Sequence, residues 1–231
     1  MDYLERLDEI LLGDSAKDKF NKAYKDKAFR SWICSVLPEV DACYKMKQNN
    51  PWHIYGVLDH ILASVDEMNK RTGDMPYADR RMLAYTMFFH DIGKPKCHLT
   101  RMKNGKLIDS FFNHNKESRR VAERSLGRFG FNQEDSRVIS KLVEDHDIFM
   151  FLTIDKTNNP YKKQVTREVV QGEIDALNEV GDGKKLIGWL CLVGESDNGA
   201  QNPEMTADSI KLVDYYSQVA DEIIGEMDSQ M

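Results

Sequence analysis

Apolar residues recur at three- and four-residue steps along most of this chain, the spacing that places them on one face of an α-helix. Leu4, Leu7, Ile10 and Leu11 predict a short helix over residues 2–12, stopped at Gly13. Phe20, Tyr24, Phe29, Trp32, Ile33 and Val36 predict a second over 15–37, broken by Pro38. The segment QNNPWHIY (48–55) is a turn leading into a helix over 54–71, with Val57, Leu58, Ile61, Leu62, Val65 and Met68 as its buried stripe. Gly73 and Pro76 mark the next turn, and a further apolar run leads into YTMFFHDIGKPK (85–96). Between Leu99 and Phe112 lies KNGK, whose Asn-Gly pair predicts a short β-hairpin near residues 98–112. Helical spacing resumes over 114–128, and Asn132 caps a helix carrying Val138, Ile139, Leu142 and Val143. Residues 147–165 have no period and predict a loop. Thr166 caps a helix to about Val180, and two more follow over 184–198 and 205–227. With no repeat, low-complexity tract or linker, the pattern predicts one all-α domain spanning 1–231.

The chemistry concentrates at the end of the run before Gly93. Neighbours on a helix point about 100° apart, so His90 and Asp91 can share one target only where a helix stops. Gly93, as a left-handed residue, and Pro95 predict that stop. His60 lies at the edge of the 54–71 stripe, His114 opens the next helix on its inward side, and His146 sits within the stripe of the helix after that. Asp197 continues the apolar stripe of Leu186, Leu190 and Val193, where a carboxylate is costly unless a cation meets it. His53 precedes its helix and is read as a loop residue, with lining a pocket and contacting substrate as the alternative, whereas His98 on the hairpin arm is expected to be exposed. Each histidine alone reads as a core residue with a hydrogen-bond partner. Four of the six at inward positions, together with a buried Asp, point instead to a shared metal.

Composition narrows the classes. An apolar content of 41% can fill a sizeable core, and 30% charged residues predict solubility. There is no run of 18 apolar residues, and MDYLERLDEILL mixes acids into its apolar positions, so no membrane span is expected and the cytoplasm is the expected compartment. Cys34, Cys43, Cys97 and Cys191 have no CxxC spacing, which argues against a zinc ribbon or a disulfide framework. A net charge of −6 disfavours strong nucleic-acid binding through phosphate neutralisation. It leaves room for a small phosphorylated substrate such as a nucleotide, or for a strand end held by local basic residues.

In order, a His, a His-Asp pair, two further His and an Asp resemble the HD-domain superfamily of metal-dependent hydrolases. The closer likeness is to the HD domain of bacterial tRNA nucleotidyltransferases, through QNNPWHIYGVLDH, FFHDIGKPK, FFNHNKESRR, LVEDH and SDNGAQNP, over about residues 48–203. That resemblance implies a single HD-domain helical bundle with the N- and C-terminal helices packed on it. It implies a first metal site of His60, His90, Asp91 and Asp197, and a second of His114 and His146 bridged by Asp91. One or two divalent transition-metal ions are expected, and Mn, Fe, Co, Ni or Zn all suit mixed imidazole and carboxylate donors. The implied activity is phosphohydrolysis, as phosphatase or phosphodiesterase, by a metal-activated hydroxide on a nucleotide or other phosphoester. Lys94 is the expected phosphate-binding charge, with Arg119 and Arg120 as further candidates. The chain departs from the family pattern twice. No nucleotidyltransferase head is expected, and Asn115 stands where relatives often carry Glu, with Glu117 the nearest carboxylate on that helix. The same ligand order also occurs in diiron oxygenases acting on small polyols or phosphonates, and a non-catalytic nucleotide- or partner-binding module is the third alternative.

Overall fold

The protein, seen here as a computed structural model, is described over residues 2–229, with Lys103 described by its backbone alone. It is an all-α bundle: among the described residues there are eleven α-helices and two very small sheets. Four helices build the centre: α5 (Val57–Thr72), α6 (Tyr77–Phe89), α8 (Gln133–Asp145) and α10 (Gly183–Gly199). Helix α6 touches the other three, which accounts for its lack of a polar face: every residue from Met82 to Phe89 is buried. Helix α7 (His114–Ser125) packs on α8, while α9 (Arg167–Asn178) and α11 (Pro203–Ser229) cover α10. The N-terminal helices α1 (Tyr3–Leu11), α2 (Ala16–Tyr24) and α4 (Glu39–Lys45) lie against α5 or α6, and α3 (Lys27–Val36) packs on α2 and α4. No described helix is long and apolar enough to cross a membrane.

Most predicted helices stand where the apolar period puts them, and the differences have local causes. The helix expected over 15–37 is two helices, because Asp26 caps a new start by accepting the Ala28 backbone N–H at 2.9 Å. The break brings Phe29 back against Phe20, with ring centroids 5.8 Å apart. Helix α4 was not predicted. It is only seven residues long and buries only Val40 and Cys43, too few positions for a period to register. The 147–165 segment is not wholly irregular: a 3₁₀ turn over Ile148–Phe151 leads to β3 (Leu152–Thr153), which pairs in parallel with β4 (Lys163–Gln164). Phe149 from that turn is buried against Gly194 of α10 and Tyr216 of α11, so the chain is pinned directly after α8.

The hairpin is present as β1 (Leu99–Lys103) and β2 (Lys106–Ser110), turned by Asn104 and Gly105 at φ 51° and 73°. His98 is half-buried rather than exposed: its Nε2 meets Asp109 Oδ1 at 2.8 Å and its ring stacks on Phe111. Asp109 also accepts the Asn49 backbone N–H at 2.8 Å, which fastens the hairpin to the 48–55 turn. That turn in turn holds the 199–204 segment, through Asn202 N–H donating to the Trp52 carbonyl at 2.9 Å.

Candidate metal centre

Five helix ends meet at one pole of the bundle. His60 stands in the first turn of α5, His90 and Asp91 at the exit of α6, and His114 at the first position of α7. His146 and Asp147 leave α8, and Asp197 lies in the last turn of α10. Three of the five are carboxyl ends, whose partial negative charge favours a cation.

The exit of α6 differs from expectation in one respect. Gly93 is not left-handed; its φ is −81°. The reason for glycine here is close approach, since a Cβ would stand 2.6 Å from the Ser118 backbone nitrogen and 2.7 Å from the His114 carbonyl oxygen. The Gly93 N–H donates to Ser118 Oγ at 2.9 Å, so the turn after His90-Asp91 is clamped onto the start of α7. This contact carries His114 to Asp91. Asn115 adds a second tie by donating to the Glu144 carbonyl at 2.8 Å, which joins the start of α7 to the end of α8.

All four histidines are oriented the same way. Nδ1 meets a backbone carbonyl in each: Met87 for His90 (2.6 Å), Phe111 for His114 (2.8 Å), Val143 for His146 (2.7 Å) and Ala200 for His60 (3.4 Å). A carbonyl oxygen only accepts, so Nδ1 carries the hydrogen and Nε2 presents a bare lone pair in the neutral ring. Those lone pairs face each other: His60 and His90 Nε2 are 3.3 Å apart, and His114 and His146 Nε2 are 3.2 Å apart. Asp91 stands between the pairs. Its Oδ2 lies 3.2 Å from His60 and 3.4 Å from His90, and its Oδ1 lies 3.0 Å from His114 and 3.7 Å from His146. Two buried triads with donor atoms within 4.8 Å of one another result: His60, His90 and Asp91, and Asp91, His114 and His146.

Each triad has a carboxylate on its flank. Asp197 Oδ1 approaches His60 at 2.9 Å and His90 at 3.6 Å, so the carboxylate on the apolar stripe lies beside two imidazoles that could share a cation with it. On the other triad the flank is Asp147, which sequence inspection overlooked because it opened an aperiodic segment. It lies 3.3 Å from His114 and 3.6 Å from His146. A signal was available: DHD at 145–147 repeats the His-Asp exit of 90–91.

This pocket fits metal ions. Facing lone pairs repel unless a cation lies between them; Asp197 Oδ1 is buried without a hydrogen bond, and Asp91 Oδ2 has the Lys94 ammonium as its one lysine or arginine neighbour among the described residues. The electrostatics show the same demand for positive charge. Burial opposes ionising His90, yet Asp91 and Asp197 outweigh it and lift its imidazole to about 10. For His146 the order is the same: burial opposes, and Asp147 and Asp91 raise it. Asp91 and Asp197 are held well below the carboxylate range, since Lys94 and His90 for the former, and His60 and His90 for the latter, overcome the cost of burial.

The remaining predicted residues divide. Lys94 is buried, with Nζ 2.5 Å from Asp91 Oδ2 and 3.0 Å from Gln48 Oε1. His53 does line the pocket, its ring centroid 4.8 Å from that of His60 and its Nε2 3.4 Å from Lys94 Nζ. Burial and then the Lys94 charge depress its imidazole to about 2, so it is neutral. Arg119 and Arg120 do not turn inward: Arg119 pairs with Glu123 and Glu144, and Arg120 with Glu117. Glu117 is bound to Lys96 as well, at 2.7 Å, and does not replace a carboxylate at position 115.

No protein-family model matches the chain.

Proposed function

We propose that this protein is a metal-dependent phosphohydrolase of the HD type, acting on a nucleotide or another small phosphoester. One observation carries the reading: two buried imidazole pairs share a single carboxylate, Asp91, through its two oxygens. Such a bridge suits a pair of adjacent ions, a purpose for which a structural site has little use. The sequence resemblance supports it, because the motifs that carry the resemblance supply these same side chains.

His60, His90, Asp91 and Asp197 would hold one ion, and Asp91, His114 and His146 the other. Bound there, a pair of divalent transition-metal ions supplies an activated water and charge compensation for a phosphoryl group. The chain's own residues prepare that chemistry. Carbonyl tethers on Nδ1 fix every ring with Nε2 inward, so little reorganisation is left for the reaction. Three carboxylates against the Lys94 ammonium leave the pole formally −2 with neutral histidines, and two divalent ions turn it to +2, which attracts a phosphate. Lys94 neutralises Asp91 in the metal-free pocket and is the cation nearest to serve a phosphoryl oxygen once an ion takes that carboxylate.

The test is a screen of Mn, Co, Ni, Fe and Zn against generic phosphomonoesters, nucleotides and 2′,3′-cyclic nucleotides. Metal-dependent release of phosphate or ring opening is expected. A protein that holds two irons, consumes oxygen with a small polyol or phosphonate and hydrolyses no phosphoester would be an oxygenase, and the hydrolase reading would fall.

A further inference from the structure

We propose that Asp147 is the terminal carboxylate ligand of the second ion, which gives each ion four protein donors and makes the centre a resident two-metal site. The proposal rests on the metal reading above and assigns a residue that the ligand order in the sequence does not include.

The distances are those of one coordination sphere. With metal–donor bonds of about 2.0–2.2 Å, neighbouring donors around one ion stand about 2.8–3.6 Å apart. Asp147 meets that range on both sides, with Oδ2 3.3 Å from His114 Nε2 and Oδ1 3.6 Å from His146 Nε2. Asp197 sits on the first pair through a single oxygen, Oδ1, at 2.9 and 3.6 Å, whereas Asp147 spans the second pair with one oxygen toward each ring. The two sets match in their donors: two Nε2 atoms, one oxygen of Asp91 and one flanking carboxylate. A hydrogen bond between Asp147 and neutral histidines does not account for this placement. The Nδ1 hydrogens of His114 and His146 already go to Phe111 and Val143, so with neutral rings the carboxylate oxygens face ring lone pairs; a metal ion or a proton on Nε2 relieves that arrangement, and metal titration tells the two apart. Asp147 is also held in place, because Phe149 two residues later is buried against α10 and α11.

The experiment is metal titration of the full-length protein with Mn²⁺ and Zn²⁺ by calorimetry, together with metal content after gel filtration, for wild type, Asp147→Ala, Asp147→Asn and Asp197→Ala. Wild type is expected to bind two ions. Asp147→Ala should keep one at close to its original affinity and lose the other by more than about 100-fold, beyond the 10- to 100-fold that loss of an outer-shell partner costs. Asp147→Asn, which preserves shape, should show the same loss, and circular dichroism of both variants establishes that they are folded. Asp197→Ala should weaken the opposite ion. If wild type holds two ions and both Asp147 variants also hold two with unchanged affinity, Asp147 is not a ligand. If wild type holds a single ion, the second site does not exist. If wild type binds neither metal, the metal reading itself fails, which is a separate result.

Discussion

The exits of α6 and α8 use one local device for two purposes. Each ends with a histidine whose Nδ1 is tied to the carbonyl three residues back, and each continues with an aspartate. Asp91 is almost wholly buried and touches all four histidines, whereas Asp147 retains 15% of its side-chain exposure and touches two. The difference lies in what packs behind them. Gly93 lets α7 settle directly against the first exit, and Lys94 follows to balance the carboxylate. The second exit has neither, and its aspartate stays on the flank. A dipeptide at a helix end thus supplies a pair of candidate ligands, and the surrounding contacts decide whether the carboxylate lies between two imidazole pairs or beside one.

The sharpest way to break this contrast is at the bridge. Asp91→Ala should abolish binding of both ions and lower phosphoester hydrolysis by more than about 10³-fold, whereas Asp147→Ala removes one ion. Equal metal loss from the two variants would erase the distinction.

The packing behind the first exit comes next. Gly93→Ala forces a Cβ into the α7 backbone and should cost about 2–3 kcal/mol by denaturant unfolding, with weakened binding of the second ion. An unchanged midpoint and unchanged metal content would show that the close approach does not position His114.

Behind the second exit lies a half-buried polar cluster, in which Lys141 lies 2.5 Å from Asp145 and 3.7 Å from Glu173. Burial, then the Asp145 charge, raises Glu173 from 4.5 to about 7. A raised carboxyl binds its proton more tightly in the folded state, so its contribution to stability is complete below about pH 4.5 and disappears as pH rises through 7. We expect this group to lower stability on the order of 1–3 kcal/mol between pH 4.5 and 8. Glu173→Gln should flatten that slope in urea titrations at several pH values, and an identical slope would exclude the cluster as its source.

The smallest effect is expected at the surface pairs. Arg120→Ala, which removes an exposed partner of Glu117, should change stability by less than about 1 kcal/mol and the rate of hydrolysis by less than about twofold. A large loss of rate would restore Arg120 as a substrate contact.

Sequence by itself determined most of the helices, the hairpin and the inward histidines, while a local cap at Asp26 and the short α4 escaped the apolar period. A 3.6-residue period, Asn-Gly and the caps at Asn132 and Thr166 are local signals, and a buried stripe reports its own direction. It also showed that Asp197 needed a positive partner, since the cost of burying a charge does not depend on knowing the partner. Tertiary structure alone decided the rest. Gly93 serves contact rather than backbone handedness. Arg119 and Arg120 turn to nearby acids, and Asp147 comes to face two histidines because Phe149 anchors the chain beyond it. These outcomes depend on how five helix ends approach one another, and residue spacing along a single helix carries no information about the distance to the next.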